Sequence, residues 1–192
     1  MKTLLVTMTL TCFGFGCLAQ GTVWFINIDS QHGLDAPVYQ ADGVTRLAGP
    51  QFMAELLAGP TPTSLASIAT TGFLDGAFAG YFNGGVLTIN TVAPGQSASV
   101  EIRAWNTLSG PTFGQAKASG IGNSWWESSI LSVITGGVAS GSGQSPPGYL
   151  TALGTSPAFL NPVPEPSSLA LTGLAALGGA LLRRRKAPLR SC

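Results

Sequence analysis

The residues able to carry chemistry are few. His32 is the only histidine among 192 residues. A Ser-His-Asp relay or a histidine-rich zinc site would therefore have to be built around this one ring. It lies in NIDSQHGLDAP, which reads as a polar loop. Asp29, Asp35 and Asp42 are candidate ligands for calcium, a hard cation that takes loop carboxylates, although aspartates so placed also make turns. Glu101 and Glu127 are the two carboxylates a glycosidase would pair, with Asp75 as a third to set against either of them. Glycine pairs such as Gly84-Gly85 lack the lysine and helix that complete a phosphate loop. The sequence thus assigns no catalytic residue and no cofactor, and no metal beyond the calcium candidates.

One stretch points to binding instead. In SASVEIRAW, Val100, Ile102 and Ala104 fall on one side of an extended strand, and Glu101, Arg103 and Trp105 on the other. An aromatic plate beside polar hydrogen-bonding groups is a common way to hold a sugar, so Glu101, Arg103 and Trp105 are candidate glycan contacts. A tryptophan on an outer face more often lies beneath a neighbouring element. Trp24, in TVWFINI, reads as core. Trp125 and Trp126 point to opposite faces if extended, and one of them is then core.

The elements that must position these residues read as strands. Segments 22–28, 37–40, 52–58, 64–70, 85–91, 97–105, 112–118 and 128–134 are short runs rich in β-formers, separated by turn signals such as Asp42-Gly43, Asn83-Gly84 and Pro94-Gly95. The run 52–58 is also compatible with a short helix. The fold class expected is all-β, an antiparallel β-sandwich of jelly-roll or immunoglobulin-like type. After Ile134 the composition turns to Gly, Ser and Pro, and the fold is expected to loosen there, with a last strand about Tyr149–Leu153.

Charge and cysteine usage narrow the function class. Between the two ends, three cations (Arg46, Arg103, Lys117) stand against seven carboxylates, a net of −4. Such a domain has no basic footprint for phosphate backbones, and nucleic acid is excluded as a partner. The cysteines are Cys12, Cys17 and Cys192, all near the termini. Stability has to come from packing and backbone pairing rather than disulfides.

The ends carry addresses. Lys2 precedes an apolar run that closes on small residues at Cys17-Leu18-Ala19, the order of a secretory signal peptide, with signal peptidase cutting between Ala19 and Gln20. Near the other end, Pro164-Glu165-Pro166 forbids regular helix. The apolar run Leu169–Leu182 follows, 14 residues long. As a helix it is roughly 21 Å, short against a hydrocarbon core of roughly 30 Å. Ser167 and Ser168 extend it, and the stems of Arg183, Arg184, Arg185 and Lys186 reach the far interface, with the basic end cytoplasmic.

This order of motif, short span and basic cluster resembles the PEP-CTERM sorting signal of Gram-negative bacteria that make exopolysaccharide. The resemblance covers about the last 25 residues and implies recognition by an exosortase, an integral-membrane processing enzyme. The expected organisation is a signal peptide at 1–19, an exported β domain at 20–135 and a linker at 136–162. A sorting signal at 163–186, with its transmembrane helix at about 167–182, and a cytoplasmic tail at 187–192 complete it. Signal peptidase, the exosortase-type protease and exopolysaccharide are the expected partners, with the inner membrane holding the chain before processing. The final site is the cell surface or the extracellular matrix. The activity expected is structural or interactive and not enzymatic; a carbohydrate-binding module and a glycan hydrolase are the rival readings.

Overall fold

The computed structural model describes residues 20–138 and 143–161. Its strands are β1 (Gly21–Ile26), β2 (Ile28–Asp29), β3 (Leu34–Asp35), β4 (Val38–Tyr39), β5 (Gly49–Gly59), β6 (Ala66–Phe73) and β7 (Asn83–Ile89). There follow β8 (Ser97–Asn106), helix α1 (Phe113–Ala118), β9 (Trp125–Glu127), β10 (Leu131–Ile134), β11 (Gly137–Val138), β12 (Gln144–Ser145) and β13 (Ala158–Phe159). The chain is all-β with one short α-helix among the described residues.

Five strands make the main sheet. β5 lies between β6 and β8, both antiparallel to it. The far edge of β8 is shared: Ser97–Val100 pairs with β10, and Arg103–Trp105 with β9. Ser128 spans the gap between these two partners. Its amide donates to the Ile102 carbonyl at 2.8 Å, and its hydroxyl accepts from the Ile102 amide at 3.0 Å.

The alternation read in β8 is present: Val100, Ile102 and Ala104 are fully buried. They share one core with Leu56 of β5 and with Val23, Phe25 and Ile89 of the separate β1–β7 pair. Phe82 lies against Phe25 at 4.8 Å and meets Phe73 edge-on. The ambiguous run 52–58 is strand, because its alternate residues Phe52, Ala54 and Leu56 all enter this core.

Three expectations are corrected. Thr112–Ala118 is not a strand: Phe113–Ala118 is helical, with the Thr112 hydroxyl accepting from the Gln115 amide and meeting the Gln115 side chain. This is an N-cap by Thr112, and Phe113 and Ala116, three apart, bury one face of the turn. Trp24 is not core: it lies on the outer side of β1, while its neighbours Val23 and Phe25 take the inner side.

The fold also does not loosen after Ile134. Leu150 and Leu160 are buried, β13 pairs with β4, and a 3₁₀ turn occupies Thr151–Leu153 where the last strand was expected. The reason lies in two glycines. Gly136 and Gly148 both bond to Thr22 of β1, and a Cβ on Gly148 would stand 2.2 Å from the Ile134 carbonyl oxygen. Only bare backbone lets the late segment close on β1. At Gly136 and Gly148, what reads as spacer is sheet edge.

The described residues contain no cysteine. The processed protein is expected to melt at the same temperature with and without dithiothreitol, and calorimetry showing a loss of stability on reduction would contradict this origin of its stability.

Candidate functional site

The face carrying Glu101, Arg103 and Trp105 is ordered by strand register. Arg103 stands between Glu55 on β5 and Glu127 on β9, and Trp105 between Met53 and Trp125. Arg103 Nε donates to Glu101 Oε1 at 2.6 Å, and its guanidinium lies 4.8 Å from the Phe113 ring centre. Lys117 Nζ donates to Glu127 Oε1 at 2.5 Å and sits 4.5 Å from the Trp125 ring centre. Trp105 is only 4% exposed, covered by α1 through Phe113. Its indole N–H has no partner among the described residues, a cost of about 1–3 kcal/mol that packing has to offset.

The candidate glycan residues are thus brought together, but the ring that would stack on a sugar is covered. Glu101 and Glu127 are each held by a cation, with Arg103 on the strand between them. Asp75 lies beyond the opposite end of β5, near Gly49.

The three loop aspartates do not converge. Asp29 caps the 3₁₀ turn Ser30–His32, its Oδ1 accepting from the Gln31 amide at 3.0 Å while Oδ2 meets His32 Nδ1 at 2.7 Å. The His32 hydrogen bond, the largest influence, holds the Asp29 carboxyl below its ordinary range. Asp35 accepts from the Tyr81 hydroxyl at 2.6 Å, and burial is the first cause that raises the Tyr81 phenol above its ordinary pKa. Asp42 accepts from the Val44 and Thr45 amides and the Thr45 hydroxyl, with the Thr45 hydroxyl chiefly responsible for lowering it. Among the described residues no three His, Cys, Asp or Glu side chains gather as a metal site would need.

Two recesses were not anticipated. One, of about 220 Å³, opens at Trp126, Ser128 and Leu153 and reaches Val38, Phe82 and Ile102 in the core. Its deepest polar group, Asn27, is fully used: Nδ2 donates to the Ala36 and Gly80 carbonyls and Oδ1 accepts from the Phe82 amide. The other is a shallow groove of about 430 Å³ on the outer side of β1, lined by Trp24, Ile26, Ile28, Asp29, Gln31 and Tyr149.

Val23 and Gly148 form a parallel bridge, so the residues that follow them, Trp24 and Tyr149, rise from the same outer face. His32 stacks on Tyr149 with ring centres 3.8 Å apart. Alternation around Val23 and Phe25 carried the signal for Trp24. Nothing local signals Tyr149, because a tertiary bridge places it.

The last described residue, Asn161, is held by the fold. Asn161 donates its amide to the Trp125 carbonyl, and its carbonyl accepts from the Asn123 amide. Its side chain accepts from the Ser124 and Trp125 amides and donates to the Ile121 carbonyl. Ala19, Pro164, Glu165, Pro166, the helix expected at about 167–182 and the cluster Arg183–Lys186 lie outside the described residues, while Gln20 is the first residue described.

Residues 162–186, starting directly after Asn161, match the family model of the PEP-CTERM protein-sorting motif. The chain carries a PEP-CTERM sorting signal. No curated protein and no solved structure matches the chain. As a PEP-CTERM protein it is exported and processed at the membrane by exosortase. No helix among the described residues is long and apolar enough to cross a membrane.

Proposed function

We propose that this PEP-CTERM protein is a non-enzymatic interaction module of the cell surface or of the exopolysaccharide matrix. Signal peptidase frees Gln20. A helix at about 167–182 then holds the β domain, read as a jelly-roll or immunoglobulin-like sandwich, outside the inner membrane until exosortase acts near Pro164-Glu165-Pro166. The observation that carries the reading is the sorting motif at 162–186, joined directly to a folded domain whose last described residue is tied down by five hydrogen bonds.

Two further features support binding over catalysis. Glu101 and Glu127, the carboxylates a glycosidase would pair, are held by Arg103 and Lys117, and the polar side chain deepest in the inner recess is engaged by backbone groups at both its nitrogen and its oxygen. A carbohydrate-binding role is favoured within this reading by the aromatic groove at Trp24 and Tyr149.

The test is co-sedimentation of the exported protein with the producer's own secreted polysaccharide. Retention that competes with added polysaccharide, with no release of reducing ends, is the expected result. Release of reducing ends by the purified protein would replace the module with a hydrolase.

A further inference from the structure

We propose that the groove on β1 is a binding site for a neutral oligosaccharide segment, with Trp24 and Tyr149 as stacking platforms and Gln31 and Asp29 as hydrogen-bonding groups at its end. The inference rests on the matrix-binding reading and places it on a particular surface. Sugar rings present apolar C–H faces and a rim of hydroxyls. A site for them therefore combines exposed aromatic area with side chains that donate and accept.

The groove has both. Trp24 and Tyr149 stand on one face, each partly exposed, over an apolar floor of Ile26 and Ile28. The Asp29 cap and the 3₁₀ turn hold Gln31 at the end of that floor, and His32, stacked on one face of the Tyr149 ring, fixes that platform. Val86, cross-strand from Trp24, is 44% exposed and extends the apolar strip.

Charge selects the class of sugar. Among the described residues every cation is already engaged: Arg46 with Tyr39 and Tyr81, Arg103 with Glu101, and Lys117 with Glu127. None lines the groove, whereas Asp29 does, with His32 Nδ1 2.7 Å from its Oδ2. A uronic or phosphorylated chain would meet a carboxylate with no lysine or arginine lining the groove, so the occupant is neutral. The same groups argue against the Trp105 face, where the ring is covered and both carboxylates are paired.

The probe is the producer's secreted polysaccharide, separated by anion exchange into neutral and acidic fractions, with cellohexaose as a defined neutral chain. Binding to the exported protein is followed by calorimetry. The neutral fraction is expected to bind. Trp24→Ala and Tyr149→Ala should each weaken it at least about tenfold, as loss of a stacking ring does. Gln31→Ala, an exposed position, should weaken it severalfold while melting like the wild type, which keeps the test valid if Trp24→Ala is unstable. Phe78→Ala, an exposed ring elsewhere, should change nothing.

Equal or tighter binding of the acidic fraction overturns the proposal. Wild-type affinity in all three groove variants also overturns it, and leaves the matrix-binding reading standing on another surface. Failure of every fraction to bind sinks both. Sedimentation velocity covers the remaining occupant: a dimer that Trp24→Ala dissolves, with glycan affinity unaltered, would make the groove a self-interface and overturn the proposal.

Discussion

A Glu165→Ala protein is expected to accumulate in the inner membrane, inserted with the β domain outside but uncut, in cells whose exosortase processes the wild type. Glu165 is the only charged side chain between Glu127 and Arg183, so a recognition site that reads charge in this part of the chain has one group to read. The prolines on either side keep its backbone out of regular helix and leave it available to an enzyme that binds extended chain. A hydrogen bond to a charged group is worth about 1.5–3 kcal/mol, so processing should slow by roughly ten- to a hundredfold.

Changing Arg183, Arg184, Arg185 and Lys186 together to Ser should give a different defect. On the proposed reading a 14-residue apolar run is weakly held, and a chain without these four cations is expected to slip outward or fail to stop. Protease access to the domain and the mass of the C-terminus separate the two outcomes. Normal processing of the Glu165→Ala protein would show that the motif is not read through its carboxylate.

Asn27→Ala is expected to be the most damaging single change within the β domain. Asn27 is 1% exposed and serves three backbone groups far apart in sequence: the carbonyls of Ala36 and Gly80 and the amide of Phe82. Truncation leaves the Ala36 carbonyl and the Phe82 amide without this partner, leaves the Gly80 carbonyl with the Val38 amide alone, and opens space beside the inner recess. At about 1–3 kcal/mol for each buried group, partly relieved by water entering from the recess, the loss is about 3–5 kcal/mol. For a domain of this size that lowers the melting temperature by roughly 10–20 °C.

Asn161→Ala should cost less, since Ser124 is the one buried residue its side chain serves while Asn161, Ile121 and Trp125 reach the surface, where water can replace it. Thermal and urea unfolding of the two variants give the comparison. A loss below about 1 kcal/mol for Asn27→Ala would mean that the Ala36 carbonyl and the Phe82 amide find other partners.

These residues also show how far local pattern reaches. Glu165 and the basic cluster were legible because sorting depends on a short linear order of chemical types, and a linear order needs no fold to be read. The strand β8 was legible for a related reason: a period of two sorts Val100, Ile102 and Ala104 from Glu101, Arg103 and Trp105 without reference to any partner. The helix at Phe113–Ala118 was legible in principle. Its signal is Thr112 as N-cap, three residues before Gln115, which a reading by β-forming composition passes over. Asn27 was not legible, because its three partners are brought together only by the folded chain.

The sequence by itself determined the all-β class, the absence of cysteine between the ends, the two faces of each clear strand and the sorting signal. Tertiary structure alone decided which face is covered and by what. Alternation divides a strand into two sides, but burial belongs to whichever side a distant element reaches. Trp105, on the side expected to be open, lies under α1, and Trp24, taken for core, stands outside because Val23 and Phe25 fill the space toward β5 and β8. The late Gly- and Pro-rich segment joined the fold for the same reason. Its glycines fit against β1 and Ile134, a contact that depends on chain more than a hundred residues away.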